Sequence, residues 1–141
     1  MEDLNQYMEK PKRTSLTSIK EMTQNNINRK EAYLSKEPIK VLTANELNDD
    51  IKRTDAYQMA IIRNDEVIDF IIDVKNDIFK IKLVRESLDR NTAIGAQQAR
   101  QLDYYISLLN DILSILMDER SKLDRIVRYN EKTYSSFYRD Y

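Results

Sequence analysis

The sequence predicts an all-α fold: a long antiparallel helical hairpin, coiled-coil-like, preceded by a polar, partly extended N-terminal arm. Three observations predict it. The 141 residues include one Gly (Gly95) and two Pro (Pro11, Pro38), and a fold built from many turns needs more of both. Apolar residues concentrate between Leu42 and Phe137, so a core has one place to form. Within that span two stripes repeat at alternating spacings of three and four, the seam spacing of paired helices. The length suits one domain, divided into an arm (1–40) and a hairpin (41–141) with helices at about 43–90 and 93–138.

The arm comes first. Leu4, Tyr7 and Met8, then Leu16, Ile19 and Met22, are small apolar clusters that can form short helices. Thr23-Gln24-Asn25-Asn26-Ile27-Asn28 has low helix propensity and no clear period. Such a segment holds too little apolar surface to order by itself. Pro38 closes it, because the residue before a proline avoids helical angles.

The first long helix is expected to start at Thr43-Ala44-Asn45-Glu46. Thr followed three residues later by Glu is a capping box, and Leu42 is placed to staple onto Leu47. Its seam runs Asn64, Val67, Ile71, Val74, Ile78, Ile81, Arg85, Leu88. A second stripe lies beside it: Ile61, Ile68, Ile72, Phe79, Leu83. Two stripes are wider than one partner helix covers. β-branched residues are plentiful from Val67 to Val84, a strand signal, but the three–four spacing persists past the length of a buried strand.

Asp89-Arg90-Asn91-Thr92 ends that helix, and Asn91 or Thr92 caps the next. The second helix carries the cleaner seam: Ala99, Leu102, Ile106, Leu109, Leu113, Leu116, Arg120, Leu123, Val127, Asn130, Tyr134, Phe137. Over about 38 residues it would run about 57 Å. Tyr105, Leu108, Ile112 and Ile115 widen its first half. A short connection makes the two helices antiparallel neighbours. Arg85 then falls beside Leu102, Ile78 beside Leu109 and Ile71 beside Leu116. Asn64, Asn130, Arg85 and Arg120 interrupt the seams, at a cost in stability and with the effect of fixing register.

The net charge of −1 gives no global field for DNA or membrane. Locally the signs separate. Lys10–Lys40 holds eight Lys/Arg against three Asp/Glu, and Val41–Arg90 eight against eleven. Asp65, Asp69, Asp73 and Asp77 repeat at four residues, and like charges at that spacing repel on a helix. The row reads as a solvated face offset by Arg63, Lys75 and Lys80. A second reading is a docking strip for basic side chains, such as those of the 10–40 arm. A metal site from oxygen ligands alone would need closer convergence.

No catalytic, metal or cofactor chemistry is expected. With no His and no Cys the commonest general base and the thiolate nucleophile are missing, and one Gly cannot build a phosphate-cradling loop. No apolar run reaches the length of a membrane span, and Met1-Glu2-Asp3 does not open a signal peptide. An intracellular or virion-interior setting is expected. The candidate partner-binding residues are the second stripe, Ile61, Ile68, Ile72, Phe79 and Leu83. To these are added the basic cluster Lys10, Lys12 and Arg13 and the tail residues Tyr138, Arg139 and Tyr141. Aromatic and Arg residues suit a protein interface and also suit stacking on nucleic acid.

The arm around Lys10–Arg13 and the seam from Leu102 to Phe137 sit in an Asn-, Ile-, Lys- and Tyr-rich chain. In that style the chain resembles small helical structural proteins of short-tailed phages of low-GC Gram-positive bacteria, of the scaffolding or capsid-lining, inner-core type. The resemblance implies many copies bound to the inner surface of a capsid. Two readings stay open: a non-enzymatic assembly protein that contacts itself or a capsid-type protein, and a nucleic-acid-binding accessory or regulatory protein that uses the basic arm and the Tyr/Arg tail.

Overall fold

The protein is all-α. The computed structural model describes residues 15–39, 42–43, 45–46 and 49–139, with side chains for all of these except 50 and 129–139. Among them are three helices and no strand: α1 (Leu16–Leu34), α2 (Asp50–Glu86) and α3 (Ala93–Arg139). The β-branched stretch from Val67 to Val84 is helical throughout. The chain divides into two compact units, one of residues up to Ser35 with Ile72–Ser114, the other of Lys36–Ile71 with Ile115–Tyr141.

In the first unit α1 is a single helix where a partly extended arm was expected. Ser15 caps it: its backbone is extended (φ −85°, ψ 162°) and its Oγ accepts from the Ser18 N–H at 3.1 Å. The low-propensity stretch is held by bonds that propensity does not count. Thr23 Oγ1 donates to the Ile19 carbonyl at 2.8 Å, and Asn26 Nδ2 donates to the Met22 carbonyl at 3.0 Å. Asn26 also donates to Asp77 Oδ2 at 2.8 Å, and Arg29 pairs with Asp73 at 2.7 Å. Rising numbers on α1 thus meet falling numbers on α2, so the two run antiparallel here. Ile19, Thr23, Asn26 and Tyr33 are buried.

The same unit buries Val74, Ile78 and Ile81 of α2 with Ala99, Leu102, Tyr105, Leu109 and Ile112 of α3. These positions come from both stripes of α3. Residues 87–92 connect the helices. Of the two residues expected to cap α3, Thr92 does so: its Oγ1 accepts from the Gly95 N–H at 3.0 Å and its carbonyl from the Ala96 N–H at 3.0 Å. Arg85, at the end of α2, grips Asp103 with both Nε (2.5 Å) and Nη2 (3.2 Å).

In the second unit the helix begins later than the capping box implies. Thr43 and Glu46 do bond reciprocally: the Glu46 N–H donates to Thr43 Oγ1, and the Thr43 N–H and hydroxyl donate to Glu46 Oε1. They close only a single short turn. Asp49 caps α2 instead, its Oδ1 accepting from the N–H groups of Ile51 (3.0 Å) and Lys52 (3.2 Å). Leu42 is buried, while Leu47, its expected staple partner, lies outside the described residues. The buried set here is Leu42, Ala60, Val67, Phe70, Ile71, Leu116, Leu123 and the charged Arg53.

Candidate interaction surface

The surface of interest follows from how the Asp row is used. In the first unit α1 takes up Asp73 and Asp77, through Arg29 and Asn26. In the second, Lys36 pairs with Glu66 at 2.8 Å and Arg63 donates to the Glu37 carbonyl at 3.1 Å. Arg29 and Lys36 of the basic segment thus pair with carboxylates of α2. Among the described residues, Ile72, Phe79 and Leu83 of the second stripe stay exposed.

That stripe is open in the first unit. Ile72 is 50% exposed, Phe79 62% and Leu83 47%. Large apolar side chains exposed in a row are uncommon on a protein that acts alone. Beside them lies a groove of about 300 Å³, lined by Lys75, Ile78, Phe79 and Lys82 of α2 and Asn110 and Leu113 of α3. Residues 72, 75, 79 and 82 alternate by three and four, so they share one face of the helix. Lys75 and Lys82 form no ion pair among the described residues, whereas Lys80 lies 3.9 Å from Asp77 and Arg85 holds Asp103. The result is an apolar strip edged by two unneutralised cations.

The second unit has a face of opposite charge. Ile61 and Ile68 are half-buried and Ile62 is 60% exposed. Asp65 and Asp69 are exposed and form no ion pair among the described residues, so their mutual repulsion at i,i+4 is not relieved there.

The other expected contact residues fall elsewhere. Lys10, Lys12, Arg13 and Tyr141 lie outside the described residues. Tyr138 and Arg139 are in the last turn of α3, with side chains that are not described. Sequence reasoning missed that Lys75 and Lys82 flank Phe79 in this groove, because it set Lys75 against the Asp row. The signal was their seven-residue spacing about Phe79. The first unit also carries a polar groove of about 450 Å³ between α1 and α2, with Asn25, Asn26 and Asn76 among its lining residues. No described helix is long and apolar enough to cross a membrane. No family model, no curated protein and no solved structure matches the chain.

Proposed function

We propose that this protein is a non-enzymatic assembly protein that acts through helix-mediated protein contacts. The exposed Ile72–Phe79–Leu83 stripe carries the reading, since its apolar area gains most when another polypeptide removes it from water. The phage inner-core setting implied by the sequence resemblance supplies one place for such contacts, the inner face of a capsid. Portal or capsid genes beside this one would support it. The nucleic-acid reading gains less: Arg29 and Lys36 of the basic segment are engaged with Asp73 and Glu66.

The test is a photo-reactive amino acid at position 79, in cells that naturally make the protein, with a second at exposed Gln97 as control. Adducts specific to position 79, mapped to one protein by mass spectrometry, are expected. Adduct yields no higher at 79 than at 97 would overturn the proposal.

A further inference from the structure

We infer that the partner on this face is a second copy of the same chain, with the apolar, basic strip of one copy's first unit seated on the apolar, acidic strip of the other's second unit. The inference rests on the assembly reading above and names its partner. It is carried by charge complementarity between two faces of one sequence. The first-unit strip exposes Ile72, Phe79 and Leu83 and is edged by Lys75 and Lys82. The second-unit face exposes Ile62 and, half-buried, Ile61 and Ile68, with the exposed Asp65 and Asp69 lying between them.

Within residues 65–82 of α2, the charges that make no ion pair among the described residues are the two aspartates and two lysines of these faces. On α2 the remaining members of the acidic row and its neighbours are engaged within the chain: Glu66 by Lys36, Asp73 by Arg29, and Asp77 by Asn26 and Lys80. Asp65, Asp69, Lys75 and Lys82 make no ion pair among the described residues. The lysines stand about 10.5 Å apart along the helix and the aspartates about 6 Å, a mismatch that flexible four-carbon lysine stems span. Joining like faces is disfavoured, because basic strip on basic strip opposes lysines and acidic on acidic opposes aspartates. Joining unlike faces relieves the Asp65–Asp69 repulsion and neutralises both lysines while apolar side chains of the two faces meet. Each copy carries one face of each kind. Pairing therefore either closes a dimer that uses both faces twice or continues from copy to copy.

The experiment is sedimentation equilibrium of the full chain at low salt, with two double variants: Lys75→Glu/Lys82→Glu and Asp65→Lys/Asp69→Lys. Circular dichroism confirms that each keeps its helix content, as expected for exposed positions. The wild type should self-associate. Each variant alone should associate about tenfold or more weakly, since its two faces then carry the same sign. An equimolar mixture of the two should recover association, because each reversed face finds its complement on the other variant. Recovery is not expected from a merely structural effect of the substitutions. A wild type that stays monomeric at high concentration, or a mixture no tighter than its components, overturns the second-copy inference. In that event, position-79 adducts to a different protein would still uphold the assembly reading, so the two can fail separately.

Discussion

Gly95→Ala provides the sharpest test of the structure, because its expected sign is opposite to the usual one. In a helix, replacing Gly by Ala ordinarily stabilises by about 0.5–1 kcal/mol, by restricting the unfolded chain. Gly95 lies in the first turn of α3 and is buried. Its φ is not positive, so no left-handed conformation demands glycine. Close approach does. A Cβ at this position would overlap the Asp89 carbonyl oxygen, and would lie 2.7 Å from that carbonyl carbon and 2.8 Å from Thr92 Oγ1. Two of these three atoms are backbone and cannot rotate aside. The turn at 89–92 must move, and Thr92 then loses its bond from the Gly95 N–H. Losing the cap costs about 1 kcal/mol, and overpacking adds about 1–3 kcal/mol. Set against the ordinary gain, the net is a destabilisation of about 1–3 kcal/mol. Urea denaturation followed by circular dichroism measures it, and Thr92→Ala isolates the cap at about 1 kcal/mol. If Gly95→Ala unfolds at higher urea than wild type, the turn is not built as described.

Other substitutions probe other levels. Asn64 holds a buried Oδ1 that finds no hydrogen-bond partner among the described residues, so Asn64→Leu should raise stability by about 1–2 kcal/mol; an unchanged or lower thermal midpoint would contradict this. Asp49→Ala removes the cap of α2 and should cost about 1 kcal/mol, seen as roughly fivefold faster amide exchange at Ile51 and Lys52, whereas Asp49→Asn should leave exchange near wild type. Asn26→Ala should cost about 1–2 kcal/mol, because Asp77 is only 18% exposed and loses its bond from the Asn26 amide. No change in urea midpoint for Asn26→Ala would mean that α1 is not anchored there.

How much of this was legible in the sequence depends on the range of the interaction. The α-helical class was legible, because scarcity of Gly and Pro and a three–four period are properties of the chain alone. So was burial of Val67, Ile71, Val74, Ile78 and Ile81, which share one stripe. Thr92 was legible as a cap for the same local reason. The start of α2 was misread because two capping signals lie within seven residues: the Thr43–Glu46 box is complete in itself, yet the helix waits for Asp49. The continuity of α1 was hidden further off. Thr23–Asn28 is polar and poor in propensity, and Asn26 is secured by Asp77, 51 residues away. No window over the arm contains that partner. The open face was anticipated as surplus apolar width, but its lysine edges depend on which charges α1 and residues 36–37 had already claimed.

The two charge rows on α2 behave differently because their spacings differ, and this leads to a last prediction. A four-residue repeat turns about 40° per step around a 3.6-residue helix, so an acidic row at that spacing winds away from any one face. Lys75 and Lys82, seven residues apart, differ by only about 20° around the helix and so keep to one face with Phe79 between them. Winding is what lets α1 claim Asp73 and Asp77 while Asp65 and Asp69 are left for something else. If that something is the Lys75/Lys82 edge of a second copy, association has a charged part and an apolar part. Salt near 1 M, with a screening length of about 3 Å, suppresses the first and not the second. Wild-type association should therefore weaken on going from low salt to about 1 M but persist. Phe79→Ser should weaken it at both salt levels, and Lys75→Gln/Lys82→Gln should match wild type only at high salt. Association of the Gln variant that tracks wild type at low salt as well would show that the lysines edge the face without contributing to it.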